Sequence, residues 1–233
     1  MNKKLEEIRK IIKIETKLLS LSLSEEEFAS LGKNHLLFGL VCTWLVGMGR
    51  YWDDPGAKLL QHLGVGSVIY IFVLALLFWL IILPFKPKVW KYWHVLTFIS
   101  LTSLPALLYA IPVERYFSLD TSRIINVWFL VIVATWRVVL LLFYLKTYAQ
   151  LKILEIVVVA LLPLTLIVFT LTILNLERAV FNIMGGLRQP STSNDSAYLI
   201  LFILSQLSLF LFIPLCLFYL VLVIYKRVAT KNK

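Results

Sequence analysis

Cysteine is scarce in this chain: Cys42 and Cys216 are the two in 233 residues. Two thiols cannot build a disulfide framework, and both fall inside apolar runs, where they read as small buried side chains. Charge is scarce too, at 15% Asp, Glu, Lys and Arg together, and carboxylates are scarcest, 13 against 23 Lys and Arg. The polar faces that a water-soluble core of this hydrophobicity would need are missing. Apolar–polar alternation of strand type is absent, which argues against a membrane barrel. The patterns His-Glu-x-x-His and Gly-x-Ser-x-Gly do not occur, and Gly64-Val-Gly-Ser67 lacks the lysine of a nucleotide-binding loop. No segment repeats, so an inverted-repeat transporter gains no support. A cleavable secretory signal is not expected, because the first apolar run starts late, follows an acid-containing segment and shows no small-residue cleavage pattern.

What is present is a 60% hydrophobic composition gathered into runs at 36–49, 66–84, 92–112, 124–145, 153–174 and 197–225. A bilayer core takes about 20 helical residues, and five of the runs meet that length. The first does so only if His35 and Arg50 mark its two interfaces. The fold class predicted is all-α: a polytopic integral membrane protein with six transmembrane helices in the cell membrane. Arg and Lys collect on cytoplasmic loops. With both termini inside, sixteen of the 23 basic residues face the cytoplasm, six (Arg50, Lys58, Arg115, Arg123, Arg178, Arg188) face outward, and Arg137 lies within a span. Dropping the short first run would put the basic termini on opposite sides. The organisation expected is a cytoplasmic amphipathic segment over 1–33, a six-helix domain over 34–226 and a basic tail over 227–233.

The net charge of +10 is explained by inner-face lysines against anionic lipid headgroups. No aromatic–basic platform accompanies them, so nucleic acid is not an expected partner. The lipid bilayer and other membrane proteins are. Leu5, Ile8, Ile11, Ile12, Leu18 and Leu19 recur at helical spacing between charges, the pattern of an amphipathic helix on the inner leaflet or of a short coiled contact. Ser24 and Glu27 form a capping-box pattern, with Gly32 expected to stop that helix and Asn34 to cap the first span.

Between the first two runs, Asp54-Pro55-Gly56 reads as a helix start and Gly64 as its stop, giving an interfacial helix of about nine residues. Tyr51 and Trp52 fit an aromatic belt. The amides of 64–67 suit either an anion at a helix N-terminus or a tight turn.

Arg137 needs explaining, because a charge near the middle of a span costs of order 2.5–3.5 kcal/mol on an insertion scale unless it is paired or snorkels. Glu155, at the start of the next helix, is its expected ion-pair partner. The other reading makes Arg137 and Glu155, with Arg50 and Arg115, a binding set for an anionic substrate or lipid. Pro105, Pro163 and Pro214 interrupt three runs, and the nearby Ser and Thr (Ser100, Thr102, Ser103; Ser205, Ser208) read chiefly as interhelical glue. The outer face offers Asp53, His62 and Glu114 as candidates for acid–base work, with no metal and no cofactor called for. Two function classes follow. One is a non-catalytic component for transport, lipid binding or assembly of a membrane complex. The other is a membrane-embedded enzyme with an acid–base site at the outer interface.

Overall fold

The computed structural model describes residues 3–52, 56–85, 87, 90–177, 179–180 and 196–231. Among the described residues every regular element is helical, and the chain divides into two compact units, Met1–Pro112 with Val133–Leu151, and Val113–Ile132 with Lys152–Lys233.

The first unit begins with α1 (Lys3–Leu19) and the one-turn α2 (Glu25–Ala29). The capping box expected at Ser24 forms: its hydroxyl accepts from Glu27 N at 3.3 Å, and the Glu27 carboxylate accepts from Ser24 N at 3.0 Å. Phe28 projects from α2 into a box made by Phe98, Phe143, Tyr144 and Tyr148, with ring centroids 5.3–6.4 Å away. That burial, to 1% exposure, anchors the amino-terminal segment by aromatic contact.

Helix α3 (Lys33–Gly49) starts after Gly32, not Asn34. The Gly32 N–H donates to His35 Nδ1 at 3.2 Å, so a histidine one turn in does the capping expected of Asn34. Gly39, Thr43 and Gly47 follow one another every four residues and form the close-packing stripe of α3. A methyl group on Gly39 would lie 2.2 Å from Ser100 Oγ, and one on Gly47 would lie 2.7 Å from Ser67 Oγ.

The interfacial helix expected over about nine residues is shorter. Helix α4 spans Leu59–His62, because Lys58 is still extended and the Gln61 side chain accepts from its N–H at 2.9 Å. The proposed cap Asp54 lies outside the described residues. Gly64 then turns in the left-handed region (φ +64°) and opens α5 (Val65–Ile82). Its position leaves no room for a side chain, since an added Cβ would meet Trp44 O at 2.7 Å. Close helix contact is therefore what Gly64 serves, while Gly66 faces open space.

Helix α6 (Tyr92–Leu101) is buried from Val95 through Leu101 and packs against α3 and α5. The run 92–112 is not one helix. It breaks at Thr102–Ser103, and the chain resumes as a 3₁₀ stretch, Leu104–Ala110, the pair bending by 40°. Pro105 has no N–H and its ring would clash with the preceding turn, so the α-helix stops there. Pro163 and Pro214 lie inside helices that run on past them.

Helix α7 (Leu119–Thr147) contributes its first part to the second unit and its second part to the first. In the second unit α8 (Ile153–Ile173) and α9 (Ser196–Lys231) lie side by side. Phe169 stacks on Phe212 at 4.4 Å, and Glu155 pairs with Lys226 at 3.0 Å. Early residues of one helix meet late residues of the other, so they run antiparallel. Phe202, Phe210, Ile213 and Leu217 of α9 are exposed, a surface suited to an apolar surrounding.

Four stretches are long and apolar enough to cross a membrane: Val65–Phe85, Ile124–Thr147, Ile153–Ile173 and Leu199–Ala229. The bent pair is a fifth if taken as one span. Helix α3 has 17 residues, about 25 Å at 1.5 Å each, a little short of a hydrocarbon core of about 30 Å.

Candidate functional site

The break after α6 is where polar groups enter the first unit. Thr43 Oγ1, 3% exposed, lies 2.8 Å from Gly39 O, 2.9 Å from Ser103 Oγ and 3.3 Å from Ser100 O. Its one proton therefore has acceptors on both sides of the helix contact. Ser103 in turn donates to Ser100 O at 2.6 Å, Thr102 to Ile99 O and Ser100 to Thr97 O, each at 2.8 Å. These buried hydroxyls are satisfied by protein groups, the arrangement of glue between helices.

One turn beyond the break, Val46, Ala106 and Val133 form a small apolar cluster with Leu108 and Tyr109 packed on it. Gly49 lies against Ala110, and Trp52 Nε1 donates to Ala110 O at 2.9 Å. That clamp sets Arg50 over the Tyr109 ring, its Cζ 4.9 Å from the centroid, with the Tyr51 ring at 5.9 Å. Such placement over an aromatic face partly compensates a desolvated guanidinium. Arg137 stands one helical turn after Val133 on α7, near enough that its charge, like that of Arg50, acts on Tyr109. Among the described residues of the first unit no carboxylate pairs with Arg137. Two cations near one phenol make this the electropositive end of the unit.

Arg137 belongs to the first unit and Glu155, its expected partner, to the second, where Glu155 has a cation of its own. Glu155, 7% exposed, takes both its oxygens to Lys226 Nζ, at 3.0 and 3.2 Å, and also accepts from Lys152 N at 3.0 Å. It caps its own helix and ties α8 to α9. The distant lysine was invisible to helical spacing.

The outer candidates fare differently. Asp53 lies outside the described residues. His62 ends α4, half-buried, in the first unit. Glu114 belongs to the second unit, where its Oε1 accepts from Asn126 Nδ2 at 2.8 Å. Arg115 is exposed in the single turn Val113–Arg115. Among the described residues no three His, Cys, Asp or Glu side chains gather as a metal site would require.

Two residues escaped the sequence reading. Tyr109 is one of ten tyrosines and carries no local signal. Glu15 did carry one. At 100° per residue it points between Ile11, Ile12, Leu18 and Leu19, the middle of the apolar face of α1. It is 4% exposed, and among the described residues neither carboxylate oxygen has a hydrogen-bond partner.

The fold thus defines the class: an all-helical protein with several segments apolar and long enough to span a membrane. No family model, curated protein or solved structure matches the chain.

Proposed function

We propose that this is a multi-pass protein of the cell membrane, non-catalytic, that binds an anionic phosphate-bearing group, a lipid headgroup foremost, between Arg50, Arg137 and Tyr109. In this reading α3 makes a sixth crossing, both termini face the cytoplasm, and α1 lies on the inner leaflet beside anionic lipid. The asymmetry of Arg and Lys supports the orientation. One observation carries the ligand: Arg50 Cζ stands 4.9 Å over the Tyr109 ring, and Arg137 lies near enough to act electrostatically on the same side chain. In a span, the guanidinium of Arg137 is costly unless a counter-charge meets it. A lipid reaches such a site laterally, without a water-filled path. The transport and complex-assembly readings share this site, since either would begin with recognition of the anion or lipid.

Native mass spectrometry of the protein extracted from membranes tests the reading. The wild type should retain a phospholipid that Arg50→Gln/Arg137→Gln loses and that Tyr109→Phe holds less well. Equal retention by the folded double variant would remove the site. Orientation is tested separately in a Cys42→Ala/Cys216→Ala background. An impermeant maleimide should label Lys58→Cys on intact cells and leave Lys226→Cys unlabelled; the reverse pattern would invert every assignment of faces.

A further inference from the structure

Glu15 is a carboxyl group in a setting that suits its neutral form. Its neighbours one turn away on α1 are Ile11, Ile12, Leu18 and Leu19, all apolar. Leu18 beside it is fully buried. The helix packed against α1 is α3, and from it the Cys42 thiol lies close enough to feel the charge of Glu15. The other titratable groups of α3, Lys33 and His35, belong to its first turn, where His35 Nδ1 already takes the Gly32 N–H. From α2, Glu27 is bound by Lys17, while Glu25 and Glu26 are exposed. Among the described residues no cation offsets the burial of Glu15. Burial alone pushes its carboxyl from 4.5 up to about 8, the direction desolvation dictates.

The same helix is only half covered. Leu5, Ile8 and Ile12, on the same face and toward the amino end, are 61%, 53% and 52% exposed. Glu15 therefore sits where the docked part of α1 begins, and an ionised carboxylate there would have to leave the apolar contact or find water.

We propose that Glu15 is a proton-binding site that governs the docking of α1 on α3: the helix is docked with the carboxyl group neutral and released when the proton leaves. The ligand is the proton, and the readout of the switch is the apolar stripe Leu5–Ile8–Ile11–Ile12, which on release becomes wholly available to the bilayer surface or to a partner. Nothing in this depends on the arginine pair, so either can fail alone.

The test uses the full chain in lipid nanodiscs. Hydrogen exchange of the amides over 11–19 is followed from about pH 6 to about pH 9 in the wild type and in Glu15→Gln. Base catalysis of exchange cancels in the ratio of the two at each pH. The ratio should climb by about tenfold or more across this range as the wild-type helix opens. Glu15→Leu, which continues the apolar face, supplies the same comparison if the glutamine variant folds poorly. In parallel, dicyclohexylcarbodiimide, which adds to protonated buried carboxyl groups, should modify Glu15 at about pH 6 and lose that reactivity at about pH 9. A flat exchange ratio, or a Glu15 that stays unmodified at the acid end, overturns the proposal.

Discussion

Thr43 on α3 and Ser103 beyond the break of α6 meet hydroxyl to hydroxyl at 2.9 Å, 60 residues apart in the chain. That contact joins the helix with the closest-packing face to the place where its neighbour loses its regular hydrogen bonds. Removing the Thr43 hydroxyl without changing its shape isolates the contribution. Thr43→Val should lower unfolding stability by about 1–3 kcal/mol, the cost of stranding buried acceptors, while Thr43→Ser should stay close to wild type. Thermal unfolding in detergent separates them, and equal stability of Val and Thr would make the contact incidental.

Gly39 is the second test of the same interface. An alanine methyl there would meet Ser100 Oγ at 2.2 Å, Ser100 Cβ at 2.8 Å and Leu101 N at 3.0 Å. Gly39→Ala should therefore cost about 1–3 kcal/mol of overpacking. Adding Ser100→Gly clears the first two contacts and not the backbone one, so it should recover part of the loss. A double-mutant cycle reads that coupling directly.

Lys226 holds a carboxylate that is nearly buried. Lys226→Met leaves Glu155 with only its helix cap and should destabilise the α8–α9 pair by about 1–3 kcal/mol, toward the low end because Lys226 itself is partly exposed. Glu155→Gln in the same chain should restore most of the loss. Two losses that simply add would show that the ion pair contributes nothing of its own.

Stability should also depend on pH through Glu15. Its carboxyl is raised in the folded chain, from 4.5 to about 8. The folded form then binds the proton more tightly than the unfolded one. Its contribution is fully present below 4.5 and is lost as pH rises through about 8, after which the loss levels off. The Tm of the wild type relative to Glu15→Gln should fall across that window and flatten above it. A constant difference would mean that the carboxyl group titrates normally.

Several features were readable from sequence because they are local. The capping box at Ser24 needs only residues three apart, and it formed. The helical lengths of α5, α7, α8 and α9 follow from runs of apolar residues whose backbone polar groups an α-helix satisfies within itself. The stripe Gly39–Thr43–Gly47 is legible as small residues at one-turn spacing, and the charge of Glu15 stands out on its helical face, though spacing names neither the helix opposite nor how fully it buries them. The break in 92–112 was half legible: Pro105 predicts an interruption, but nothing local distinguishes it from Pro163 and Pro214, whose helices run on.

What the chain determined by itself is the helical class, the apolar segments and the caps, because helix formation is settled by hydrogen bonds and side-chain character within a few residues. What the tertiary structure alone decided is partnership. Glu155 was given to Lys226, 71 residues away, Thr43 to the α6 break, and Arg50 and Arg137 to one tyrosine. Helical periodicity states which side a residue faces, but the identity of the group on the other side depends on how the helices pack, and that is a property of the folded whole.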